Sequence, residues 1–104
     1  MLVIGVLAGC GKPENPMLNL ENFAKIKRGD SIAELENLLG KDYEHTTESV
    51  RFGNSTVNPA NGTVIYIWSS DNDKKKILVM VSKSDSVVEA EALGLSGDNI
   101  LFME

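Results

Sequence analysis

The chain is poor in the residue types that form covalent cross-links and catalytic centres. It has one cysteine, one histidine and one tryptophan among 104 residues. A single cysteine cannot form a disulfide within the chain, so the apolar core has to hold the fold. A lone histidine makes a poor metal site and leaves a serine nucleophile with only one possible base, His45. We therefore expect no enzymatic activity, no cofactor and no bound metal.

Positive charge is also scarce. The chain has 15 acidic and 10 basic residues, a formal net charge of −5, and no basic stripe interleaved with aromatic residues. Such a surface repels phosphate backbones, which argues against nucleic acid as a partner. Apolar residues make up 42% and charged residues 24% of the chain. That balance is typical of a folded globular protein, and the length suits one domain.

The first ten residues, MLVIGVLAGC, form an apolar run that ends in a cysteine. The end of the run, Leu7-Ala8-Gly9-Cys10, resembles the lipobox of bacterial lipoprotein signal peptides. The resemblance implies that residues 1–9 are a signal peptide and that Cys10 carries a lipid after cleavage. The run is too short for a transmembrane helix, which needs about 20 apolar residues. It also lacks a basic segment before Leu2, so the natural start lies upstream or the signal peptide is truncated. The alternative is a buried first strand with Cys10 in the core.

Residues 10–18 are expected to form a flexible tether, since residues 11–18 (GKPENPML) combine two prolines and a glycine with polar residues. The folded domain is predicted to span residues 19–104. Asn19 can cap a first helix that ends near Gly29. A second helix begins with the capping box formed by Ser31 and Glu34, and ends at Gly40.

Strands are expected over most of the remaining chain. The β-branched and aromatic residues predict strands at residues 43–52, 63–70, 77–82 and 87–93, with a short further element around residues 100–102. The polar segment 54–62 is interpreted as a loop. This order predicts an α+β fold in which two short N-terminal helices pack on one face of a three- to four-stranded antiparallel sheet. In such a two-layer sandwich the other face of the sheet is open.

The helix pair carries a recognisable pattern. From Phe23 to Gly40 the chain reads F-x-x-I-x-x-G-x-S-x-x-E-L-x-x-L-L-G, which resembles the signature of the BamE/SmpA/OmlA superfamily, including the repeats of β-lactamase inhibitory protein. With the later strands the resemblance covers about residues 23–95. Asp30 stands where the family often has methionine, and Lys41-Asp42 where proline is common. The resemblance implies an α-α-β-β-β fold, with or without a fourth strand, and a non-enzymatic role in the cell envelope.

The segment Ile65-Tyr66-Ile67-Trp68 offers the best candidate binding residues. Alternation along a strand places the two isoleucines on one face and the two aromatic residues on the other. If the isoleucines face the helices, Tyr66 and Trp68 lie on the open face, where such residues are good binding anchors. In the opposite register the aromatic residues are core. The periodicity allows both arrangements.

Together these observations predict a lipid-anchored protein outside the cytoplasm, on the cell membrane or the outer membrane. We expect it to bind another envelope protein through Tyr66 and Trp68, with Glu89 and Glu91 on a neighbouring strand. Members of the superfamily that it resembles inhibit β-lactamases or assist outer-membrane assembly, and either role is compatible with the residues. A small-ligand-binding protein or a purely structural lipoprotein is the alternative.

Overall fold

A computed structural model describes residues 15–70, 74–96 and 100–103. The chain is mostly strand, with two short helices near its start. The elements are α1 (Leu20–Ala24), α2 (Ile32–Leu39), β1 (Tyr43–Thr46), β2 (Val50–Phe52), β3 (Ser55–Val57), β4 (Val64–Ser70), β5 (Lys75–Val81), β6 (Val87–Leu93) and β7 (Ile100–Phe102).

Five of the strands form one antiparallel sheet in the order β1-β4-β5-β6-β7. Strands β4, β5 and β6 are its long centre, and the shorter β1 and β7 are its edges. Strands β2 and β3 pair only with each other and form a second, two-stranded sheet. Successive hairpins bring β4, β5, β6 and β7 together in chain order.

The predicted fold class is therefore wrong. The predicted two-layer sandwich had three or four strands under a helix pair, whereas the structure has a five-stranded sheet, a separate two-stranded sheet and only short helices. Two local features explain the additional strands. Polar residues 47–49 interrupt the segment expected to be one strand, and Gly53 turns the chain back at a φ of 63°. Glycine tolerates such a turn, so part of the expected loop pairs as β3.

Buried side chains lie on both faces of the large sheet. On one face Trp68, Ile77 and Val79 belong to a cluster with the helix residues Phe23 and Leu35. Alternate residues of the same strands supply the second cluster, which includes Ile65 and Leu78 from the large sheet and Phe52 and Val57 from the hairpin. The open sheet face expected from the sequence is thus occupied by the β2–β3 hairpin.

The helix caps follow the sequence pattern. Asn19 caps α1 by accepting a hydrogen bond from the backbone N–H of Asn22. The capping box of α2 is confirmed: Ser31 Oγ accepts from the Glu34 N–H, and the Glu34 carboxylate accepts from the Ser31 N–H. The first turn of α2 is further held by Asp85, whose side chain accepts from the Ile32 N–H at 2.9 Å. That bond fixes α2 to the turn between β5 and β6.

The folded part begins earlier than residue 19. The Asn15 N–H donates to Ser70 Oγ at 2.5 Å, the Asn15 side chain donates to the Leu39 carbonyl at 3.3 Å, and Leu18 is buried in the helix-side cluster. Residues 15–18 of the predicted tether are thus in contact with the folded domain. The predicted signal peptide and Cys10 lie outside the described residues.

Candidate binding surface on strands β1 and β4

The pairing of β1 with β4 places four ring-bearing side chains on one face of the sheet. Tyr43 lies opposite Trp68, and His45 lies opposite Tyr66. Side chains opposite each other in an antiparallel pair share a face, and so do residues two apart along one strand. All four rings therefore lie on the face of the helix-side cluster.

The four rings are in mutual contact. The Tyr43 ring centroid is 5.1 Å from that of Trp68 and 5.2 Å from that of Tyr66, the second pair nearly edge to face at 79°. The His45 ring lies 5.9 Å from the Tyr66 ring. These separations are in the range of favourable aromatic pairs. The rings thus hold each other in place across an edge strand that has a neighbour on one side only.

The four side chains differ in exposure. Trp68 is fully buried, with 0% of its surface exposed, and its indole nitrogen donates to the Gly40 carbonyl at 2.8 Å. Tyr43 and Tyr66 are half-buried, and His45 is exposed. We call Tyr43, His45 and Tyr66 the aromatic patch, because these three are partly or fully exposed while the buried Trp68 packs beside Tyr43 and Tyr66.

Helix α2 fixes one member of the aromatic patch. The Tyr43 hydroxyl donates to Glu36 Oε2 at 2.6 Å. This hydrogen bond to the carboxylate, with desolvation and the charge of Glu36 as smaller causes, raises the pKa of Tyr43 to about 12. The tyrosine is therefore a neutral donor at physiological pH, held in a single orientation.

The aromatic patch consists of residue types that are common in contact surfaces. Aromatic rings with a polar tip are enriched at protein interfaces, because they bury a large area at a small cost in side-chain entropy. Within the residues that the structure describes, no group of three or more histidine, cysteine, aspartate or glutamate side chains could hold a metal ion.

The predicted binding residues do not form one surface. Tyr66 and Trp68 lie on the helix side of the sheet, and Trp68 is part of the core. This is the arrangement in which the aromatic residues, and not the isoleucines, face the helices. Glu89 and Glu91 lie on the opposite face, paired with Met80 and Leu78 of β5. Glu91 is only 7% exposed, and its burial, together with the charge of Glu89, raises its pKa above the ordinary value.

Sequence reasoning missed Tyr43 and His45 as neighbours of Tyr66. The signal was present, since Tyr43-x-His45 and Tyr66-x-Trp68 have the same spacing along two strands. That spacing places each pair on one face of its own strand. Only the register between β1 and β4 places both pairs on the same face.

Within the described parts of the chain, no helix has the length and apolar character that crossing a membrane requires. No protein-family model matches the sequence, and neither a curated protein nor a solved structure matches it significantly.

Proposed function

We propose that this chain is a protein-binding module of the bacterial cell envelope, tethered to a membrane through a lipid on Cys10. The binding part of this proposal rests on the aromatic patch. Its three rings contact each other at the edge of the sheet, are partly exposed and are supported by a buried tryptophan. The sequence Leu7-Ala8-Gly9-Cys10 supports the tether.

The aromatic patch has the features expected of an interface anchor. Binding energy concentrates in a few large side chains that are already held in their bound conformation, because little entropy is then lost on association. Tyr43 is held by Glu36 and by two ring contacts. Tyr66 is held between Tyr43 and His45. A partner would bury the exposed side of these rings.

Photo-crosslinking in the native cell envelope tests the binding surface. His45 is replaced by the photoreactive residue benzoylphenylalanine, and the same residue is placed at the exposed Thr56 of β3 as a matched control. We expect a light-dependent adduct at position 45, lost on Tyr66→Ala, and none at position 56. Equal adducts at the two positions, or none at position 45, would contradict the proposal.

The tether has its own test. Cells are labelled with radioactive palmitate, and the chain is compared with its Cys10→Ser variant. We expect label and membrane association in the wild type and neither in the variant, since the thiol is the acceptor of the lipid. If the wild-type protein were not labelled, the proposed lipid anchor would be wrong. That result would not bear on the aromatic patch.

The resemblance to the BamE/SmpA/OmlA superfamily stays a prediction that supports the envelope setting. It rests on the sequence pattern from Phe23 to Gly40, whereas the two-layer fold that it implied is not the fold of the structure. The choice between inhibition of a β-lactamase and assistance in envelope assembly depends on the partner that position 45 captures.

A further inference from the structure

A second exposed apolar region lies at the opposite edge of the sheet. Three large apolar side chains are exposed among the described residues, and the most exposed is Phe102 at 63%, followed by Leu20 at 48%. Both line a groove of about 590 Å³ between β7 and the segment of α1 and its following turn. Phe23 and Leu101 also line it, so much of its wall is apolar.

Among the described strands, none pairs with the outer side of β7, which borders this groove. Strand β7 is the last strand of the five-stranded sheet. The Met103 N–H donates to the Ala90 carbonyl at 2.9 Å, so Met103 and Leu101 direct their backbone groups towards β6. Because inward and outward groups alternate in an antiparallel ladder, the N–H and C=O of Phe102 point outward. An added strand could pair with them.

One end of the groove is positively charged although the chain as a whole carries −5. Lys27 and Arg28 line that end and are exposed. Arg28 Nη1 donates to the Val88 carbonyl at 3.1 Å, which fixes the guanidinium beside β6. Among the described residues neither side-chain cation forms an ion pair, and the Asp30 carboxylate beside Lys27 accepts from the Lys27 backbone N–H at 2.9 Å. Their charge is therefore available to a bound molecule.

The basic end coincides with the C-terminal end of β7. Strand β7 runs antiparallel to β6. It begins at Ile100, which lies opposite Leu93, and continues towards Met103, which lies beside Ala90. Val88, which holds Arg28, lies further in the same direction. A strand added antiparallel to β7 would therefore begin near Arg28 and run towards Leu20.

From this charge and direction we infer that the groove binds an extended peptide segment of a partner protein, with acidic residues at its N-terminal end followed by alternating apolar residues. The peptide adds to β7 as an antiparallel strand. Its acidic side chains meet Lys27 and Arg28, and its apolar side chains enter the groove beside Phe23 and Leu101. The inference extends the proposed binding function to a second surface and assigns it a class of partner.

A random heptapeptide library displayed on phage tests the inference with the full chain as the target. Two variants remove the groove in different ways: Phe102→Lys, and Lys27→Glu combined with Arg28→Glu. Thr47→Lys, at an exposed turn position between β1 and β2, is the control that adds one positive charge as Phe102→Lys does. Circular dichroism shows whether each variant is folded.

We expect enriched peptides with aspartate or glutamate N-terminal to alternating apolar residues. Phe102→Lys and the double charge reversal should each weaken their binding at least about tenfold, and Thr47→Lys should leave it within about twofold. The wild-type affinity should also fall as salt is added.

Three outcomes would overturn the inference: no enriched peptide, enriched peptides without acidic residues, or binding that survives both groove variants. Concentration-dependent dimerisation lost on Phe102→Lys would identify a second copy as the occupant and would also overturn it. The result is separable from the proposed function, because crosslinking at position 45 reports on the other edge of the sheet. If crosslinking at position 45 failed while peptide binding was retained, only the proposed role of the aromatic patch would be wrong.

Discussion

The indole nitrogen of Trp68 donates a 2.8 Å hydrogen bond to the carbonyl oxygen of Gly40, the residue that ends helix α2. The bond joins the centre of β4 to the end of the helix across 28 positions of sequence. It satisfies a helix-terminal carbonyl and the only polar atom of a fully buried side chain. The tryptophan that the sequence offered as a contact residue is therefore a structural link between helix and sheet.

Replacing Trp68 by phenylalanine should destabilise the fold by about 2 kcal/mol or more. The change removes ring volume from the core and leaves the Gly40 carbonyl without its donor. The free energy of unfolding is measured in urea. The control is Tyr66→Phe, which removes a hydroxyl from a half-buried ring and should cost no more than about 0.5 kcal/mol. Equal losses in the two variants would show that Trp68 does not join helix and sheet.

Gly94 should not tolerate a side chain. Its φ is +82°, and a Cβ atom there would lie 1.8 Å from the Lys74 carbonyl oxygen, a backbone atom that cannot rotate away. We expect Gly94→Ala to cost at least about 3 kcal/mol, the sum of backbone strain and a steric clash. Thermal unfolding or urea unfolding measures the loss.

Gly29 provides the matched control for Gly94. Its φ is +93°, but nothing lies within 4 Å of the position that a Cβ atom would take. Gly29→Ala should therefore cost only the conformational strain, about 1 to 2 kcal/mol. If both alanine variants were equally stable, the close approach of Lys74 to Gly94 would not be a feature of the protein in solution.

The elements that depend on nearby residues could be predicted from the sequence. Ser31 and Glu34 form the expected capping box because both partners lie within one helical turn. Strands β4 and β6 lie where β-branched and alternating residues predicted them. Short-range patterns of this kind need no knowledge of the rest of the chain.

The elements that depend on distant pairing could not be predicted. Both faces of β4 carry apolar side chains, so alternation could not decide whether Ile65 or Trp68 faces the helices. The candidate surface depends on the register that sets His45 opposite Tyr66, which are 21 positions apart in the sequence. The β2–β3 hairpin was missed because Phe52 was assigned to one strand with Tyr43, and Val57 is an isolated apolar residue in the polar segment interpreted as a loop. Phe52 and Val57 are buried because the hairpin covers the second face of the five-stranded sheet.

The bond between Tyr43 and Glu36 should make stability fall in strongly alkaline solution. The pKa of Tyr43 is raised from its ordinary value of 10.0 to about 12 in the folded chain, chiefly by donation to Glu36. The contribution is fully present below about pH 10 and is lost as the pH rises through about 12. Glu36→Gln should lower the pKa of Tyr43, as measured by the ultraviolet absorbance of tyrosinate. The exposed Glu44→Gln is the control, and an unchanged titration in Glu36→Gln would show that this carboxylate is not the cause.

Glu91 should make the protein less stable at neutral pH than it would be with a neutral side chain. Its side chain, only 7% exposed, lies opposite Leu78 of β5 and Phe102 of β7, and among the described residues it has no hydrogen bond or ion pair. Desolvation first, and the charge of Glu89 second, raise its pKa, so the folded chain binds this proton more tightly than the unfolded chain does. The stabilisation that the protonated Glu91 side chain contributes is thus fully present below the ordinary carboxyl pKa. It is lost as the pH rises through the raised pKa of Glu91 in the folded chain.

Glu91→Gln tests this relationship because the amide keeps the shape of the side chain and removes its charge. We expect the variant to exceed the wild type in free energy of unfolding at neutral pH, and the difference to shrink as the pH falls below the ordinary carboxyl pKa, where the wild-type side chain is neutral too. The control is the exposed Glu48→Gln, which should change little at either pH. A Glu91→Gln variant that is less stable than the wild type at neutral pH would mean that a cation or donor stabilises the Glu91 carboxylate.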